Sequence, residues 1–284
     1  MAIITVQNLR KQYGAKVAVK DVSFSVEEGE IYGIVGRNGA GKTTTVECVA
    51  GLRKPDGGAI HVAADLKQQV GVQLQESIMP DKLRVGEALD LYASFYANPA
   101  SVTELLDEVG LDPKVGFAKL SGGQRQRLSI ALALVGNPKI AILDELTTGL
   151  DPQARRETWE LISRIRERGV TVLLVSHFME EVERLCDRVA VIADGTVLAV
   201  DTPAGLISRT GGVQRITFRT TAPVESLKSL PEVHSVTVEA GHVTVTGDQN
   251  VLRAIVTALP DSAISNLKTE TSSMDDAFLA LTGE

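Results

Sequence analysis

The run Gly36-Arg37-Asn38-Gly39-Ala40-Gly41-Lys42-Thr43 carries the first chemistry legible in the chain. Its spacing, G-x-x-x-x-G-K-[ST], lets successive backbone N–H groups surround phosphate oxygens, because glycine puts no side chain in the way. Lys42 adds a positive charge at β- and γ-phosphates, and the Thr43 hydroxyl can hold Mg²⁺. A helix starting near Lys42 adds its N-terminal dipole. A phosphate site also needs a metal partner and a water activator, and Ile140-Ala141-Ile142-Leu143-Asp144-Glu145 supplies both types. Asp144 follows four apolar residues, which places it at the carboxyl end of a buried strand, suited to Mg²⁺ through water. Glu145 can polarise the attacking water. His177 ends a further buried run, Val170 to Ser176. All three features fall at carboxyl ends of strands, the edge where open α/β sheets bind ligands.

Leu120-Ser121-Gly122-Gly123-Gln124 precedes an apolar helix. Ser121 and Gln124 form a capping-box pattern. That pattern does not account for two glycines in a helix's first turn, which cost stability. They make sense where a phosphate approaches the exposed helix N-terminus.

With these motifs in this order, residues 3–210 resemble the ATP-binding subunits of ABC transporters. Gly36 to Thr44 resembles the Walker A loop, Thr44 included, and Leu120 to Gln124 the family signature. Ala141 to Glu145 resembles the Walker B strand with its catalytic glutamate. Thr147-Thr148-Gly149-Leu150-Asp151 resembles the D-loop, and Ser176-His177 the switch histidine. Tyr13 resembles the aromatic that stacks on adenine. Gln75, four residues after Gly71, resembles the Q-loop glutamine that senses Mg²⁺ and the membrane partner, with Gln73 as its rival. Leu146 stands where the family usually has proline. Both carboxylates remain, so hydrolysis is expected to survive.

The resemblance implies ATP with Mg²⁺ as cofactors and hydrolysis to ADP and phosphate. Thr43, Asp144 and Gln75 would serve the metal, and Glu145 and His177 the chemistry. Ser121 and Gly123 would face the γ-phosphate of a nucleotide bound to a second copy, giving a head-to-tail homodimer in the ATP-bound state, and Gly122, Gln124 and Asp151 would also belong to the nucleotide site. It further implies a separate transmembrane permease and a cytoplasmic chain, peripheral on the inner face of the membrane. Ser272 to Gly283 and Val72 to Glu76 resemble bacterial drug-exporter ATPases of the daunorubicin-resistance type, which points to export of a drug-like or lipid-like substrate. The competing class is a non-transport ABC ATPase acting on a nucleic-acid or ribosomal partner. Such proteins carry long coiled-coil insertions or two cassettes, and neither feature is present.

The elements that must position these residues are those of an α/β fold. Apolar runs at Ile3 to Leu9, Val17 to Val26, Glu30 to Val35, Gln69 to Leu74, Lys139 to Leu143, Val170 to Val175 and Arg188 to Ala193 read as strands. Helical patterns over Lys42 to Ala50, Gly122 to Val135, Pro152 to Arg168 and Phe178 to Leu185 alternate with the later ones, implying a largely parallel sheet covered on both faces. The resemblance adds an antiparallel N-terminal β subdomain. Gln75 to Leu120 offers helices, Val85 to Ala97 and Ser101 to Val109, but no convincing strand. It is expected to form a helical insertion, with the signature part of a helical subdomain over about 76–136. Ala193-Asp194-Gly195-Thr196 reads as a tight hairpin.

After Thr210-Gly211-Gly212 the pattern becomes βαββαβ: strand Val213 to Thr220, helix Val224 to Leu230, strands Val233 to Glu239 and His242 to Thr246, helix Asn250 to Leu259 and strand Ile264 to Glu270. A last helix spans Met274 to Leu281, with Phe278, Leu279 and Leu281 as an apolar stripe. The expected domains are 1–210 and 213–284, the second a small α+β module. Val236 and Val238 are expected on its covered sheet face, beneath Leu252, Ile255, Val256 and Leu259. No phosphate-binding loop or catalytic cluster occurs in it.

Composition is compatible. At 284 residues the chain allows about two domains. With 44% hydrophobic and 23% charged residues it is globular in type. The net charge of −7 from 29 basic and 36 acidic residues argues against non-specific nucleic-acid binding. Two cysteines, Cys48 and Cys186, build no disulfide framework or zinc site. The N-terminus does not read as a signal peptide, and no apolar run approaches the roughly 20 residues of a membrane span. Arg164, Arg166 and Arg168 read as a solvated helix face, and Arg125 and Arg127 as local packing.

Overall fold

The computed structural model describes residues 1–73, 79–209, 214–220, 222–239, 241–248, 250–259 and 264–283. The chain separates into two compact units, Met1–Pro203 and Ala204–Glu284. The break expected at Thr210-Gly211-Gly212 lies outside the described residues.

The first unit is built on a sheet of nine strands: β1 (Ala2–Tyr13), β2 (Lys16–Glu27), β3 (Ile31–Val35), β4 (Gly57–Val62), β5 (Val70–Gln73), β6 (Ile140–Asp144), β7 (Thr171–Ser176), β8 (Arg188–Ala193) and β9 (Thr196–Asp201). Their order is β4-β1-β2-β9-β8-β3-β7-β6-β5. β8, β3, β7, β6 and β5 run parallel. Every residue of β3, β6 and β7 is buried, so these Val-, Ile- and Leu-rich runs need apolar cover on both faces. β1, β2 and β4 pair antiparallel and form the expected N-terminal β subdomain. β8 and β9 form the expected hairpin. Both turn residues, Asp194 (φ 49°) and Gly195 (φ 76°), take the left-handed backbone that a two-residue turn of this hand requires.

Helices α1 (Lys42–Val49), α4 (Gly122–Leu134), α5 (Pro152–Glu167) and α6 (Met179–Leu185) alternate with the central strands. Between β5 and α4 come α2 (Val85–Ala93) and α3 (Val102–Val109), which pack on each other and on α4 as the helical insertion. α2 ends four residues before the predicted Ala97. Tyr96 beyond it lies against Gly136, where a Cβ would collide with the ring. Arg164, Arg166 and Arg168 are exposed, as expected of a solvated helix face, and two of them pair: Arg166 with Asp187 at 2.8 Å and Arg168 with Glu108 at 2.8 Å. Arg127 donates to the Val109 carbonyl at 3.0 Å, and Arg125 lies over the Phe117 ring.

α7 (Pro203–Ser208) comes next. The second unit then forms a four-stranded antiparallel sheet from β10 (Gln214–Thr220), β11 (Val233–Glu239), β12 (His242–Gly247) and β13 (Ile264–Thr271), in the order β11-β12-β10-β13. With α8 (Val251–Ala258) this is the split βαββαβ arrangement. Its first helical segment is a short 3₁₀ turn, Glu225–Ser229, in place of the expected α-helix. Pro223 before it and Pro231 after it leave too little chain for a longer one. The pairings Ile216 to Val245 and Phe218 to Val243 put one apolar face under Val251, Ile255 and Leu259. Val251, not Val256, completes the cover; Val256 is exposed, and so is Val238 near the end of the edge strand. In α9 (Met274–Thr282) the buried residues are Met274, Ala277 and Phe278. The expected stripe holds at Phe278 and fails at Leu279, which is exposed. Among the described residues no helix is long and apolar enough to cross a membrane.

Candidate active site

Residues 36–41 leave the end of β3 and enter α1. Two glycines there are required by geometry. A Cβ on Gly36 would strike the Ile192 carbonyl oxygen, and Gly41, with φ +101°, would strike that of Ala18. Gly41 is the N-cap of α1, makes no side-chain cap, and no acidic residue occupies the first turn. The helix N-terminus thus keeps donors for an anion. Lys42 is buried, and its Nζ donates to the carbonyls of Gly36 at 2.8 Å and Arg37 at 3.2 Å. Burial pushes its pKa down, opposed by the charges of Glu145 and Asp144.

A cavity of about 340 Å³ opens on this loop. It is lined by Tyr13, Lys16 and Ala18 from β1 and β2, by Asn38, Gly39 and Gly41 to Thr44, and by Glu145. Tyr13 is 40% exposed, and its ring is flanked by Lys11 at 5.5 Å and Arg53 at 5.6 Å. Of the remaining loop residues predicted for the site, Gly36 and Ala40 are buried and Arg37 is exposed. Lys16 was not anticipated, since a lysine in an N-terminal strand carries no distinguishing pattern.

Asp144 ends β6 and is fully buried, and among the described residues neither carboxylate oxygen has a partner in full hydrogen-bonding geometry. Burial pushes its pKa up, with the Thr43 hydroxyl beside it opposing. Two orphaned carboxylate oxygens next to a hydroxyl are the hard oxygen donors Mg²⁺ takes. No group of three or more His, Cys, Asp or Glu side chains able to hold a metal occurs among the described residues. The fit is therefore to an ion that completes its shell with phosphate and water. Gln75 lies outside the described residues. Its rival Gln73 is buried and its Oε1 accepts the Asp144 backbone N–H at 3.2 Å, fixing the end of β6 to that of β5.

Glu145 has φ +50°, and its N–H donates to the Val175 carbonyl at 2.9 Å. A non-glycine residue in this region stores strain, and such strain gathers at functional sites. The carboxylate Oε1 stands 3.4 Å from Nδ1 of half-buried His177 and 3.9 Å from Nζ of Lys42. Leu146, next in the chain, is fully buried.

The signature residues lie elsewhere. Ser121 Oγ accepts the Gln124 N–H at 3.2 Å, and Gln124 Oε1 accepts the Ser121 N–H at 2.9 Å, a complete capping box. Asp151 caps α5 through the N–H groups of Gln153 at 3.0 Å and Ala154 at 2.9 Å. Ser121, Gly122, Gly123, Gly149 and Asp151 line a second cavity of about 410 Å³. It shares no residue with the first. Among the described residues a Cβ on Gly122 would meet nothing within 4 Å, so none of their contacts demands glycine there.

Residues 19–148 match the family model described as ABC transporter. The chain is 33% identical to the linearmycin resistance ATP-binding protein LnrL of Bacillus subtilis (strain 168), covering 99% of this chain and 98% of that protein. It is 43% identical to the Nod factor export ATP-binding protein I of Burkholderia orbicola (strain AU 1054), over 73% of each. Among solved structures it is similar to a dimeric ATP-binding cassette in a post-hydrolysis state bound to ADP and Pi, at 25% identity and TM-score 0.62, covering 70% of this chain and 98% of that one. With a phosphate loop, a paired Asp144-Glu145 and a full-length relative of this kind, the chain belongs to the ABC transporter family as one of its ATP-binding, ATP-hydrolysing subunits.

Proposed function

We propose that two copies of this chain close head to tail around two ATP molecules and that hydrolysis drives export of a drug-like or lipid-like substrate through a separate membrane permease. The observation that carries the reading is the separation of the two cavities. One holds Lys42, Thr43 and Glu145; the other holds Ser121, Gly123 and Asp151. Each is half of a nucleotide site, and a second copy supplies the missing half. The similar solved cassette is a dimer with ADP and Pi, and the similar curated proteins are named for Nod factor export and linearmycin resistance.

In this reading the N–H groups of the loop and of α1 bind the phosphates, and Tyr13 offers its ring to the adenine. Thr43 and Asp144 would hold Mg²⁺, with Gln75 as its sensor, and the ion would supply positive charge to the phosphate oxygens. Lys42 adds its charge at the β- and γ-phosphates. Glu145 orients the attacking water and takes its proton, and His177 steadies the Glu145 carboxylate and the γ-phosphate. Ser121, the backbone of Gly122 and Gly123, Gln124 and Asp151 complete the partner copy's site. The chain works at the inner face of the cell membrane, in the cytoplasm.

Affinity purification of the full chain from detergent-solubilised membranes tests the partner. The expected result is stoichiometric recovery of a protein with membrane-spanning helices. Recovery with ribosomes or nucleic acid, and without a membrane protein, would favour the non-transport reading.

A further inference from the structure

Behind the site lies a carboxylate that the mechanism above does not use. Glu181 in α6 is fully buried. Trp159 Nε1 donates to its Oε1 at 3.0 Å, while among the described residues neither Glu181 Oε2 nor the buried Thr147 Oγ1 has a partner in full hydrogen-bonding geometry. The hydroxyls of Ser176 and Thr147 and the charge of Arg155 each oppose the upward push of burial on the carboxyl. A buried carboxylate is costly, and an apolar side chain of similar volume would serve packing better.

Its neighbours belong to the segments that carry the reacting groups. Ser176 precedes His177, and its Oγ accepts the Phe178 N–H at 3.0 Å, so its own proton is available to the carboxylate. Thr147 is fully buried and stands between Glu145 and Asp151. Arg155 and Trp159 lie on α5, the helix that Asp151 caps. The Arg155 guanidinium sits 4.6 Å over the Phe178 ring, which in turn lies 4.2 Å from the His177 ring.

We propose that Glu181 is a positioning residue of the ATPase reaction, tying the loop that carries Glu145 and Asp151 to the strand end that carries His177. The inference rests on the roles proposed for those three residues. Glu181 touches no nucleotide. It makes the loop, α5 and the His177 strand end shift as one piece, so that the base and the residues offered to the partner copy reach their places together. Trp159 is the only tryptophan of the chain and is hydrogen-bonded to this carboxylate, so its fluorescence reports on the tie.

The test compares the full-length parent with Glu181→Ala, Glu181→Gln, Thr147→Val and Glu145→Gln in Mg²⁺-ATP hydrolysis. Glu181→Ala is expected to lower kcat about tenfold through misplacement of the reacting groups and to leave KM within about twofold. Glu181→Gln, which still accepts from Trp159 and can donate to Thr147, recovers most of kcat. Thr147→Val lowers kcat in the same direction and carries the test if Glu181→Ala does not fold. The ATP-induced change in Trp159 emission is lost in Glu181→Ala and kept in Glu181→Gln. Parental kcat in folded Glu181→Ala, or in Thr147→Val if only that variant folds, overturns the proposal; so does a rise in KM with kcat unchanged. An active Glu145→Gln would instead sink the underlying site reading. An inactive Glu145→Gln beside an unaffected Glu181→Ala would sink this inference alone.

Discussion

Glu145→Gln is expected to keep ATP bound and to lose turnover by about 10²- to 10⁴-fold, the share typical of a positioned general base. The amide has the shape of the carboxylate but cannot take the water's proton. Glu145 lines the cavity with the phosphate loop, and its Oε1 stands 3.4 Å from His177 Nδ1 and 3.9 Å from Lys42 Nζ. Glutamine accepts the same left-handed backbone at the same cost as glutamate, and the N–H bond to Val175 is unchanged, so the fold should not pay. Phosphate release and nucleotide affinity measured side by side separate the two effects. A glutamine variant that releases phosphate at the parental rate would remove Glu145 from the role of base.

Lys42→Ala acts one step earlier, on binding. The expected loss of ATP affinity is about 10- to 100-fold, the factor that corresponds to about 1.5–3 kcal/mol for a hydrogen bond to a charged group. Nζ is held by the carbonyls of Gly36 and Arg37 and faces the carboxylates of Asp144 and Glu145. Alanine removes the Nζ donor from the Gly36 and Arg37 carbonyls, of which Arg37 keeps the Ala40 N–H at 3.1 Å, and takes away the cation that faces the two carboxylates. Lys42→Arg should not restore affinity, because a planar guanidinium does not fit a cradle built for a point charge. Calorimetric titration with ATP reads the change directly, and an unchanged Kd in Lys42→Ala would place the phosphates elsewhere.

Much of this was legible because the relevant elements are the most buried. β3, β6 and β7 announce themselves as unbroken apolar runs, and the residues that follow them, Gly36, Glu145 and His177, are placed at one edge by that fact alone. β4 was missed because it opens with Gly57-Gly58 and alternates between partial and full exposure, so nothing in it resembles a core strand. The cover of the second sheet is as expected at Leu252, Ile255 and Leu259, but α8 turns Val251 inward and Val256 outward, a difference that a short helix with apolar residues on several faces does not reveal. Gln73 was weighed only as a substitute for Gln75, whereas its side chain clamps the backbone of Asp144. Glu181 sits among acidic neighbours and reads as surface, yet with Phe178, Val182 and Leu185 it falls at the three- and four-residue spacing of a buried helix face. That spacing was the available clue.

If each nucleotide site is completed by a second copy, two chains inactive for different reasons should restore each other. Lys42→Ala damages the phosphate cavity of its own chain. Gly122→Asp puts a negative charge into the other cavity, at a position where a side chain meets nothing within 4 Å, so the fold should tolerate it. In a mixed dimer one site carries both lesions and the other carries neither. Each variant alone is expected to be inactive, and ATP hydrolysis is expected to return when the two are mixed. A mixture as inactive as its components, under conditions where nucleotide-bound dimers form, would contradict it.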